Sequence, residues 1–114
     1  MKTLLLGLAL LLLTGRAGAA DGKALWVRDC VACHGMAGNG VGHDGQRLNP
    51  QVHQDLGSPQ VQARLSDRMI HDAICGCTMM RPPGHRSTLS PAEVQALVSY
   101  TRSLKRAAAP QPLR

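Results

Sequence analysis

The heptapeptide DCVACHG, Asp29 to Gly35, sets two thiols and an imidazole, Cys30, Cys33 and His34, within five consecutive residues. Cysteines this close serve four chemistries: a zinc knuckle, a dithiol redox switch, a structural disulfide, and thioether attachment of a porphyrin. A zinc site usually needs a second knuckle. The other two cysteines, Cys75 and Cys77, are separated by a single residue, too tight for one. A redox dithiol normally opens a helix after a strand, where the helix dipole lowers the thiol pKa. This pair instead closes a predicted helix with no strand before it. A plain disulfide leaves His34 without a role.

The C-x-x-C-H spacing accounts for all three residues. Two thiols with two residues between them reach the two vinyl groups of one porphyrin, and the next residue projects its imidazole beneath the iron. The expectation is one covalent haem c, with Cys30 and Cys33 as thioether donors and His34 as the proximal iron ligand.

The surrounding composition agrees. The first residues, MKTLLLGLALLLLTGRAGAA, carry a positive Lys2, an apolar run and the small residues Ala17-Gly18-Ala19. That is the pattern of a secretory leader cleaved after Ala19 or Ala20. The run is short of the roughly 20 apolar residues of a spanning helix. Residues 1–20 are therefore expected to be a cleaved signal peptide, and the mature protein to be periplasmic. Residues 21–106 read as one small domain, and 107–114, AAAPQPLR, as a disordered tail. The chain has no Phe, one Trp and one Tyr, so large apolar volume must come from aliphatics or from a bound group. Removing Lys2 and Arg16 takes the formal charge from +6 to +4. Export and scattered basic residues disfavour nucleic-acid binding.

These residues must be positioned by few elements. A helix is predicted from Gly22 to Cys33, capped by Asp21 and ended by Gly35. The stretch from Gly35 to Ser58 holds six glycines and no sustained period, and a loop this long suits wrapping a ligand. Ser58-Pro59 starts a short helical turn. Ser66 caps a further helix on which Met69, Ile70, Ala73 and Ile74 share a face, with Gly76 as its stop. TMMRPPGHRST is expected to be loop, because prolines exclude regular helix. Ser90, Pro91 and Glu93 form a capping box with Pro at the first helical position. Leu89 and Val94 suit a staple, and Val94, Leu97, Val98, Thr101 and Leu104 form the apolar stripe of the last helix. No segment reads as strand.

Along nearly its whole mature length the chain resembles a small monohaem class I cytochrome c. GKALWVRDCVACHG is similar to that family's N-terminal helix and haem motif, and LSPAEVQALVSYTRSL to its C-terminal helix. The resemblance implies an all-α fold of three to four helices wrapped around one haem, with the terminal helices crossing. Gly22 would permit their close approach, and Trp26, Leu97 and Tyr100 would fill the crossing. It also implies a distal methionine, which Met80 fits by its distance from Gly76. An extra residue before Pro82-Pro83 departs from the family pattern and keeps the adjacent Met79 in play. Cys75, Cys77, His43, His53, His71 and His85 are the remaining ligand candidates, while Met69 is expected in the core. In that family a proline carbonyl after the haem motif accepts from the free ring N–H of the proximal histidine, which implies the Pro50 carbonyl here.

The pair Cys75 and Cys77 has no place in the family pattern. It reads as two half-buried small residues, as a strained bridge, or as a functional thiol pair. The resemblance implies a one-electron carrier that is not an enzyme and docks transiently with redox partner proteins at the haem edge. The alternatives are a fixed cytochrome subunit of a dehydrogenase or oxidase complex, and a ligand-binding haem sensor with an open distal site.

Overall fold

The described residues of this computed structural model are 19–52, 54–80 and 88–107, with 78–80 described by their backbone alone. The expected leader through residue 18, His53, His85 with the neighbouring prolines, and the tail from residue 108 lie outside them.

Five helices make up the described fold: α1 (Gly22–Asp29), α2 (Val31–His34), α3 (Pro59–Arg64), α4 (Asp67–Met80) and α5 (Pro91–Ser103). No strand occurs among the described residues, and β pairing is limited to a single bridge between Val41 and Arg47. The fold is all-α, as expected. The count exceeds three to four because the first helix is not continuous. It breaks at Cys30, whose φ/ψ of −118°/−32° leaves the helical range while its N–H still closes α1 on the Trp26 carbonyl. A single new turn, α2, then begins.

Local chemistry explains most boundaries. The Asp21 carboxylate accepts from the Ala24 N–H at 3.1 Å and caps α1. Ser66 Oγ accepts from Met69 N–H at 3.1 Å at the head of α4. At α5 both halves of the capping box form: Glu93 N–H donates to Ser90 Oγ, 3.2 Å, and Ser90 N–H to Glu93 Oε2, 2.8 Å. Ser58 and Pro59 open α3, although the Ser58 hydroxyl donates to Gln60 Oε1 instead of capping the backbone.

Two expectations about α4 are corrected. Gly76 does not stop it; the helix continues through Thr78, Met79 and Met80. Gly76 does not adopt the positive φ that a C-terminal glycine uses, and an interior glycine only weakens a helix by about 1 kcal/mol relative to alanine. The next breaking signal in the sequence is Pro82. Met69 is not core either: it is 52% exposed, while Ile70 is buried and Ile74 packs on the core cluster. The inward stripe of α4 is narrower than the sequence pattern suggested.

The core sits where α1 crosses α5, and α4 also packs on α5. Leu25, Trp26 and Leu97 form its buried cluster, with Cys30, Ile74, Ala96, Tyr100 and Leu104 against it. The expected stripe is buried at Val94, Leu97, Val98 and Thr101. Gly22 lets the two terminal helices meet: a Cβ there would lie 2.5 Å from the Ala96 carbonyl oxygen and 2.9 Å from Tyr100 Cβ. Trp26 and Tyr100 rings stand 5.7 Å apart at 49° in the crossing. This is the packing anticipated for Gly22, Trp26, Leu97 and Tyr100.

Candidate haem-attachment site

The site is built on the turn that follows the break. With α1 ended, Cys30 becomes the residue before α2, and its carbonyl accepts from Cys33 N–H (3.2 Å) and His34 N–H (2.9 Å). One tight turn thus carries both sulfurs and the imidazole. Gly35 ends it at φ/ψ 74°/166°, a conformation that favours glycine, and a Cβ there would lie 2.5 Å from the Val41 carbonyl oxygen. Trp26 Nε1–H donates to the Gly35 carbonyl at 3.1 Å, which ties the end of the turn to the core. The same indole lies 5.8 Å from the His34 ring at 45°. The glycine-rich segment then folds back: Gly40 N–H donates to the His34 carbonyl at 2.8 Å, and Leu48 N–H to the Gly40 carbonyl at 2.9 Å.

His34 is prepared as a ligand. Burial pushes its pKa below the ordinary histidine value, which favours the neutral ring whose bare nitrogen binds metals. Its Nδ1 is buried with no hydrogen-bond partner. The expected acceptor, the Pro50 carbonyl, makes no bond to it. Pro50 lies exposed in a turn that other contacts hold: Gln51 N–H donates to Asn49 Oδ1 (2.9 Å), and Val52 N–H to the Asn49 carbonyl (3.1 Å). A buried orphan imidazole nitrogen beside two half-buried sulfurs, none of them in a disulfide, fits a haem c: the donor set is soft sulfur for the vinyl groups and neutral imidazole for iron.

The remaining candidates are scattered. His71 is on the surface of α4, where Nδ1 pairs with Asp72 Oδ1 at 3.0 Å. His43 is in the exposed part of the loop. Met79 and Met80 form the end of α4, with side chains outside the described set. Cys75 is half-buried and Cys77 exposed. Both belong to α4, where positions two apart point roughly 200° from each other about the axis. That geometry does not form the strained bridge considered from the sequence. No group of three or more metal-ligating side chains exists among the described residues, so the thiol pair has no metal site there.

Sequence reasoning missed two features. Asn49 Nδ2–H donates to Cys33 Sγ at 3.4 Å. The Asn-Pro dipeptide did signal a turn, but nothing in the sequence names a partner sixteen residues away. Arg102 reaches the Gln62 carbonyl (2.9 Å), Gln62 Oε1 (3.0 Å), the Leu65 carbonyl (2.5 Å) and Asp67 (2.7 Å). Buried Gln62 in turn donates to the Leu56 and Thr101 carbonyls. This knot fixes α3 and the start of α4 against α5.

Comparison with known families finds a match over residues 19–105 to the family described as Cytochrome c. No curated protein and no solved structure matches the chain.

Proposed function

The chain belongs to the cytochrome c family, and on that premise we propose that it is a periplasmic one-electron carrier with one haem c and histidine–methionine ligation. The family's chemistry is haem-based electron transfer. Here Cys30 and Cys33 would hold the group through thioethers, His34 would ligate iron on one side, and Met80, with Met79 as its alternative, on the other. The group supplies reversible one-electron cycling of iron.

The chain's own residues do the rest. Cys30 and Cys33 fix position, because both sulfurs issue from one hydrogen-bonded turn. Trp26 and Gly35 hold that turn to the helix crossing and restrict the motion of the His34 ring. Burial keeps the imidazole neutral. A ligand set held rigid changes little between oxidation states, which is what fast electron exchange without bond-making requires. Catalysis of a bond-breaking reaction is not part of this reading. The proposed thioether attachment and the leader-like pattern of the first residues support export to the periplasm, and no described helix is long and apolar enough to cross a membrane. The mildly basic mature chain suits a brief, small-area encounter with an acidic redox partner at the haem edge near Cys33.

The observation that carries the proposal is the α2 turn, which presents two sulfurs and a half-buried imidazole with a sealed Nδ1 together. The test is mass spectrometry and optical spectroscopy of mature protein from cells competent in cytochrome maturation. The expected mass exceeds the processed chain by one haem, and Met80→Ala removes the far-red sulfur-to-iron band of the oxidised protein. If Met79→Ala removes it instead, the distal ligand is Met79. If the band persists in both variants, neither Met80 nor Met79 is the distal ligand, and a wild-type oxidised spectrum without the band overturns methionine ligation. A folded, colourless mature chain overturns the whole reading.

A further inference from the structure

We infer that Asn49 is a positioning residue for the haem edge, acting through a hydrogen bond from its side-chain amide to the sulfur of Cys33. The inference rests on the haem reading above and extends it to a residue outside the attachment motif.

Three observations carry it. The amide nitrogen lies 3.4 Å from Cys33 Sγ, and both residues are half-buried. The orientation of the amide is fixed independently, since Asn49 Oδ1 accepts from Gln51 N–H at 2.9 Å. The oxygen is therefore committed to the turn and the NH2 group must face the sulfur. The turn itself is closed by Val52 N–H on the Asn49 carbonyl and by Arg47 Nη1–H donating to the Val52 carbonyl at 2.8 Å, so the donor is held in place from both sides.

The chemistry selects the same orientation. A thiol both donates and accepts weakly, whereas a thioether sulfur has no proton and can only accept. An amide presenting NH2 suits the attached form; one presenting oxygen would face a sulfur with nothing to give. Partners one step beyond a cofactor's covalent anchors orient them and tune the cofactor. The amide dipole places its positive end at the sulfur. Reduced iron carries one positive charge fewer than oxidised iron, so this end favours the reduced state. Asn49 thereby couples the loop of residues 41–52 to the edge through which electrons would pass.

The experiment compares wild-type holoprotein with Asn49→Ala and Asn49→Asp. Aspartate keeps an oxygen for Gln51 N–H and loses the donor; alanine loses both. The readouts are the thioether C–S stretching band by resonance Raman and the reduction potential, with mass used to count attached haem. The expected result is a C–S band shifted in both variants and a potential lowered in both, more so in Asn49→Asp because it adds a negative charge. A C–S band unmoved in both variants overturns the inference, even if the aspartate charge alone shifts the potential. A band that shifts only in Asn49→Ala also overturns it, since the turn and not the donor would then matter. Wild-type protein without the mass of a haem sinks both this inference and the reading beneath it, and is recognised before any variant is made.

Discussion

Gly35 illustrates how much of the site depends on one backbone angle. Its φ/ψ of 74°/166° lies in a region nearly reserved for glycine, and side chains held there cost about 1–3 kcal/mol. A methyl group would also strike the Val41 carbonyl. Gly35→Ala is expected to lower the thermal midpoint of the holoprotein and to disturb iron ligation, because the adjacent His34 is oriented through the same turn. Unchanged melting and an unchanged spectrum would refute this. The thiols of α4 give a second residue-scale expectation. Cys77 is exposed and Cys75 half-buried, so iodoacetamide should label Cys77 first in the folded holoprotein. Equal labelling rates would mean that the helix around Gly76 opens readily. Cysteine types and spacing were legible in the sequence at Cys30, Cys33 and His34. The Asn49 contact was not, because a side chain's reach across sixteen residues depends on how the loop returns.

Among the elements, the crossing of α1 on α5 dominates. Leu97 is 1% exposed at its centre, against Trp26 and Leu25. Leu97→Ala removes buried aliphatic volume in a cluster with little to replace it. The expected destabilisation is about 2–5 kcal/mol, measured by denaturant unfolding of the holoprotein. A loss under 1 kcal/mol would show that the crossing is not the principal core. The sequence identified this element pair well, because capping boxes and apolar stripes are local signals. It failed at the end of α4, where a glycine read as a stop lies inside the helix, and at Cys30, where one helix became two. In both places a residue-type signal misled: an interior glycine only weakens a helix, and Cys30 takes a φ of −118° while its N–H and carbonyl still bond to residues within four positions.

At the scale of the whole molecule, two arginines at the end of α5 join distant segments. Arg102 binds α3 and α4 through Gln62, Leu65 and Asp67. Arg106 pairs with Asp55, donates to the Ala37 carbonyl at 3.3 Å, and its N–H donates to the Gly57 carbonyl at 2.8 Å. The segment just after α5 is thereby tied to the loop that follows the α2 turn. The Arg106 guanidinium holds the Asp55 carboxyl below its ordinary pKa. A lowered folded pKa stabilises the protein above the unfolded value, near 4, and the contribution is lost as pH falls through the folded pKa. Both side chains are partly exposed, so the amount is small, up to about 1 kcal/mol. Asp55→Asn should therefore be less stable than wild type at neutral pH, with the difference vanishing in acid. A difference independent of pH would locate the effect in packing instead.

The sequence by itself pointed to the attachment chemistry proposed above and determined the capped terminal helices and the small residue that lets them touch. Each of these is written in residues a few positions apart, where covalent spacing and helical period leave little freedom. Only the tertiary structure decided that His34 Nδ1 is sealed without the Pro50 carbonyl, that Asn49 meets Cys33, and that Arg102 and Arg106 fasten the loops. Those contacts join segments far apart in the chain, and hydrogen bonds between such segments exist only once packing has fixed both ends.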